Sequence, residues 1–118
     1  MEQNYKLDKI RDLSGNDQEF IETLAMTFLE EVPADARLLK IAADIADYLA
    51  TYRAAHKMKP TIDMFELGVL EDLIVVQDWG KNEERGKDVS AELARVMDAV
   101  ERAANEIAIR RPLSSRYD

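Results

Sequence analysis

His56 is the single histidine of the chain. It lies in the stretch YRAAHKMKPTIDMF, positions 52–65. A neutral imidazole is a good nucleophile near pH 7. Arg53, Lys57 and Lys59 stand around it, and no acidic residue falls between Asp47 and Asp63. Cations without a local counter-charge suit a group that carries or meets phosphate. Phosphoryl transfer needs little covalent machinery beyond in-line positioning and neutralised charge. Two other chemistries lack parts. A metal site has no second histidine and no cysteine to draw on. A Ser-His-Asp hydrolase needs an oxyanion hole and a nucleophile elbow, and no stretch supplies either.

The helix that must present this histidine can be phased from its apolar residues. With about 100° per residue, Tyr48, Thr51, Ala55, Met58, Ile62 and Phe65 gather on one side, which is the side to be buried. His56 then falls about 130° away, on the outer side. Residues three, four and seven positions away share a helix face. For His56 these are Leu49, Tyr52, Arg53, Lys59, Pro60 and Asp63. The result is an exposed patch with apolar members (Leu49, Tyr52, Pro60) and positive ones, the pattern of a docking surface. Lys59 sits one turn along this face and can meet phosphate oxygens as a point charge. Lys57 projects further round, at the rim of the surface. A solvated face with a few stray apolar residues is the bland alternative.

The remaining elements read as helices. A short helix is expected over Tyr5 to Leu13, closed by Ser14-Gly15, with Asn16 or Asp17 to cap the next. Phe20, Ile21, Leu24, Phe28 and Val32 recur at helical spacing. Pro33 bends or interrupts that element, and Leu38, Ile41 and Ile45 continue its apolar pattern beyond. Asp47 is the candidate N-cap of the His56 helix, and Gly68 marks a joint. Leu70, Leu73, Ile74 and Gln77 fit a fourth element ending near Trp79-Gly80, although Leu73 to Val76 taken alone also fits a strand. Val89, Leu93, Val96, Val100, Ala103 and Ile107 alternate steps of four and three in a last helix that stops before Pro112. Long amphipathic helices on short connections predict an all-α fold, an antiparallel four-helix bundle with a short additional N-terminal helix.

Composition limits the class. The chain has 118 residues, 47% apolar and 34% charged, which predicts one soluble globular domain over 1–118. Its core spans about 5–110, and 111–118 is a flexible tail. The charged N-terminus is unlike a signal peptide, and no apolar run approaches the roughly 20 residues that span a bilayer. With cysteine absent, a reducing, cytoplasmic setting is expected. The net charge of −8 makes nucleic acid and anionic membrane poor partners. A start methionine and a free tail favour a chain that stands alone over one cut from a larger sensor, and a monomer is expected.

The segment AAHKMKPTIDMFELG resembles the motif of histidine-containing phosphotransfer (HPt) domains. In that family the phosphorylated histidine is followed by a hydrophobic residue, a lysine, usually a glycine, and a later small residue. Those positions are His56, Met58, Lys59, Pro60 and Gly68 here. Upstream, DQEFIETLAMTFLEEVPADARLL is similar to the acidic-aromatic helix preceding the motif, and ADYLATYRAAH is similar to the segment leading into it. Motifs cover about Leu7 to Leu70, and helix pattern covers the rest.

The resemblance implies a phosphorelay carrier. His56 would accept a phosphoryl group from, and return it to, an aspartate on a receiver domain, between a hybrid sensor histidine kinase and a response regulator. The domain would have no kinase activity and no cofactor, since magnesium belongs to the receiver. Pro60 departs from the family's glycine. It fills space beside the imidazole and removes the helical bond to the His56 carbonyl, to which the Thr61 hydroxyl can offer a replacement. A phosphorylation-independent adaptor using the same face is the alternative, although it would need neither His56 nor Lys59. An unrelated helical structural protein is the third reading.

Overall fold

The computed structural model describes residues 4–110; the tail expected at 111–118 lies outside the described residues. Five helices follow one another: α1 (Asp8–Ser14), α2 (Gln18–Asp44), α3 (Tyr48–Met64), α4 (Leu70–Lys81) and α5 (Ser90–Arg110). No strand occurs among the described residues, and Leu73 to Val76 is helical. The helix starts follow side-chain chemistry. Of the two candidate caps, Asp17 serves α2, its carboxylate accepting the Phe20 N–H at 3.1 Å. Asp47 does the same for α3 through the Ala50 N–H, also at 3.1 Å. Each satisfies a donor that the first helical turn leaves without a partner. Gly15 ends α1 with φ +65°, a left-handed conformation that glycine adopts without strain.

Two boundaries differ from the expected ones, and both have a physical cause. α1 begins at Asp8 rather than Tyr5, because the residues before it serve as a strap. The Lys6 N–H donates to the Phe65 carbonyl at the end of α3 (2.7 Å), and the Tyr5 side chain is buried in the core. α4 runs on to Lys81, so Gly80 lies inside the helix rather than at its stop. A Cβ on Gly80 would stand 2.6 Å from the Tyr48 carbonyl oxygen and 2.8 Å from the Tyr52 nitrogen. Glycine is there because α3 and α4 touch backbone to backbone.

α2 packs on α3 and α5, and α4 packs on the same two, so the four longer helices meet in a ring. Phe28 and Phe65 cross at its centre with ring centroids 4.8 Å apart, inside a core that also takes Leu39, Met58, Ile62, Leu73 and Ile107. Both helices with internal proline, Pro33 in α2 and Pro60 in α3, continue through it.

The buried phase of α2 corrects the sequence reading. Its core residues are Ile21, Ala25, Phe28, Val32, Ala36, Leu39 and Ala42. Phe20 is substantially exposed, and Leu38, Ile41 and Ile45 are 61%, 58% and 69% exposed. Two apolar stripes run along the second half of α2. The stripe with alanines lets α3 approach closely and is buried, and the stripe with the larger side chains faces outward.

Candidate functional site

α3 carries the candidate site, and its roll is set by its buried side. Thr51, Ala55, Met58 and Ile62 are buried, with Phe65 just beyond the helix end. The Thr51 hydroxyl, in a fully buried residue, donates to the Asp47 carbonyl at 2.7 Å, so burial leaves it no unmet donor. Tyr48 is half-buried, its ring 4.6 Å from that of Trp79. The Trp79 indole N–H is in turn held by the Lys87 carbonyl at 3.0 Å.

With that side fixed, His56 is exposed. Its ring stacks on Tyr52, centroids 5.6 Å apart and planes 26° apart. Tyr52 is half-buried, so its ring restricts the imidazole to one side and leaves the other open. Lys59, one turn on, has no carboxylate in ion-pair range among the described residues. Lys57 is engaged elsewhere. Its ammonium donates to Asp35 of α2 at 3.0 Å. That hydrogen bond, with the attraction of the carboxylate, holds its pKa above the ordinary lysine value. The two lysines beside the histidine therefore differ in kind: Lys57 ties α3 to α2, and Lys59 is free to meet a new anion.

The other residues expected on this face divide into two groups. Pro60 is exposed directly beyond the imidazole. The Thr61 hydroxyl makes no hydrogen bond to the His56 carbonyl among the described residues, so the bond lost at Pro60 is not replaced that way. Asp63 is exposed but pairs with Lys9 of α1 at 2.9 Å, and it raises the Lys9 pKa. It anchors the N-terminal helix to α3, so its carboxylate is already engaged. Leu49, 57% exposed, and Arg53 line a groove that opens between α2 and α3 on the N-terminal side of His56.

The opposite wall of that groove escaped sequence reasoning. Leu38, Ile41 and Ile45 form it, and large apolar residues at helical spacing read as core. The available signal was the competing stripe of Val32, Ala36, Leu39 and Ala42. Asp35, the buried partner of Lys57, was missed because only the folded chain brings residue 35 to residue 57.

Among the described residues no helix is long and apolar enough to cross a membrane. Comparison with family models, with curated proteins and with solved structures gives no match to this chain.

Proposed function

We propose that the chain is a phosphorelay carrier, working in the cytoplasm, in which His56 takes a phosphoryl group from an aspartyl phosphate on a receiver domain and passes it to another. The observation that carries the reading is the pairing of an exposed, ring-braced imidazole with Lys59, a cation on the same helix face that has no acidic partner among the described residues. In the transfer the imidazole nitrogen with the free lone pair attacks phosphorus and the N–P bond forms. The P–O bond to the aspartyl group breaks, and its electron pair leaves with the carboxylate. The other ring nitrogen keeps its proton. Lys59 meets the equatorial oxygens as charge moves through them. On this reading hybrid sensor kinases and receivers are its partners, and the kinase carries out the ATP chemistry. The scaffold is an antiparallel four-helix bundle, supported by the ring of contacts and by the three-residue connection between α2 and α3.

The test is phosphate uptake from a phosphorylated receiver. Wild-type protein gains acid-labile, base-stable phosphate, and His56→Gln gains none while keeping its helical content, because the exposed imidazole lies outside the core and its ring contact is with Tyr52 on the surface. Uptake by His56→Gln would overturn the assignment. An adaptor that acts without phosphorylation would bind the receiver equally well in both forms and take up no phosphate.

A further inference from the structure

Lys59 is one of two cations flanking the imidazole that lack a counter-charge, and Arg53 is the other. Arg53 is exposed, and no carboxylate lies in ion-pair range of it among the described residues. Other cations of the chain are matched: Lys9 pairs with Asp63 at 2.9 Å, Arg95 with Asp72 at 3.0 Å and Arg102 with Asp98 at 2.9 Å. Two carboxylates line the same groove as Arg53, and both are in use. Asp47 caps α3, and Asp35 holds Lys57. α3 itself offers none between Asp47 and Asp63. In a chain of net charge −8, two unmatched cations bracketing one histidine invert the overall sign locally, which favours an anion there.

Arg53 and Lys59 stand three residues before and three after His56. Each is therefore about 60° from it around the helix axis, on opposite sides, one a turn below and one a turn above. Helix side chains lean toward the N-terminus. The imidazole accordingly lies back over the turn that holds Tyr52 and Arg53, consistent with its 5.6 Å stack on Tyr52, and Lys59 reaches back toward the ring. Tyr52 falls on the Lys59 side, about 40° from His56, and Arg53 borders the other, open side. An anion seated at the outer edge of the ring thus lies between two cations that approach it from different directions. The lysine meets an oxygen as a point charge, whereas the guanidinium presents a planar fork that meets two phosphate oxygens at once.

We propose that Arg53 and Lys59 form a binding site for a phosphate group across the His56 ring, with Arg53 gripping two of its oxygens. The use of this site in transfer rests on the reading of His56 as a phosphoryl carrier; its affinity for a phosphate dianion does not. Arg53 is thereby a second phosphate contact, which goes beyond the docking role expected of it from the sequence.

Titration of the full chain with inorganic phosphate, at constant pH and ionic strength, tests it. One histidine gives one set of imidazole signals, so nuclear magnetic resonance reads the site directly. The wild-type signals shift saturably as phosphate is added. Arg53→Ala weakens this binding by roughly threefold or more, the scale of one charged contact on an open surface. Arg53→Lys, which keeps the charge and loses the fork, binds between the two. Arg102→Ala removes the same charge from α5, which packs on α2 and α4, and leaves the binding unchanged. A wild type without a saturable shift overturns the proposal. So does equal weakening by Arg53→Ala and Arg102→Ala, which would reduce the effect to net charge. If Arg53→Ala binds phosphate as the wild type does but binds a receiver more weakly, the proposal is overturned and Arg53 is a docking residue. Phosphate binding that depends on Arg53, in a protein whose His56 takes up no phosphoryl group from a receiver, supports the site and removes the relay reading alone.

Discussion

Lys57 and Lys59 are two residues apart and do different work. Lys59→Ala should slow transfer by roughly tenfold to a hundredfold, the scale of one charge-assisted contact made as the phosphoryl group moves. Lys57→Ala should slow it much less, because its ammonium is already held by Asp35. Rapid-mixing transfer kinetics on both variants give the comparison, and equal losses would refute the division of roles. The same ion pair gives a pH signature. The pKa of Lys57 is raised in the folded chain, so the pair stabilises fully below the unfolded lysine value of about 10.4 and is lost as pH rises through the higher folded value. Thermal midpoints should therefore fall more steeply above about pH 10.4 in the wild type than in Asp35→Asn. Parallel alkaline profiles would remove Lys57–Asp35 as a pH-linked contact.

At the scale of the helix, the position of the histidine depends on Gly80 and tolerates Pro60. An alanine at Gly80 would gain about 1 kcal/mol of helix propensity. Its Cβ would meet the backbone of Tyr48 and Tyr52, which cannot swing aside as a side-chain tip can. The clash should win, with a net loss of about 1–3 kcal/mol visible in chemical denaturation. α3 would be pushed outward just before His56, so transfer should slow too. Pro60 behaves oppositely. α3 runs unbroken from Tyr48 to Met64, so the helix already bears a proline that supplies no N–H to the His56 carbonyl. Pro60→Gly should leave stability level or higher, and Pro60→Ala should exceed Pro60→Gly by about 1 kcal/mol. Denaturation midpoints rank the three. A large loss in either variant would mean that Pro60 supports the fold. If room beside the imidazole limits docking, Pro60→Gly also transfers faster.

The whole molecule is closed at one end by its N-terminal strap. The Asn4 N–H reaches the Glu106 carboxylate at 3.2 Å, the Lys6 N–H reaches Phe65, and Tyr5 is 2% exposed between them. Residues far apart in the chain are joined there, so the strap stabilises α3 and α5 together. Tyr5→Ala should cost about 3 kcal/mol, lowering the thermal midpoint by about 10–20 °C for a chain of this size. Differential scanning calorimetry measures it. A shift of only a degree or two would show that the strap is dispensable.

The all-helical pattern, the caps at Asp17 and Asp47 and the outward phase of His56 were legible in the sequence, because they depend on local geometry. A carboxylate three residues before a free N–H caps a helix in any fold, and Thr51, Ala55, Met58 and Ile62 recur at the helical period in any fold. The tertiary structure decided what depends on distance through space. It chose the alanine stripe of α2 over the larger Leu38, Ile41 and Ile45, because close helix approach rewards small residues as much as burial rewards large ones. It set Gly80 against the backbone of α3, and Tyr5 in the core in place of a helical turn. It also drew Lys57 to Asp35 and Asp63 to Lys9, and so left Lys59 as the one lysine beside His56 with no acidic partner among the described residues. Spacing places side chains on a face, but only the packed neighbours determine which of them are already occupied.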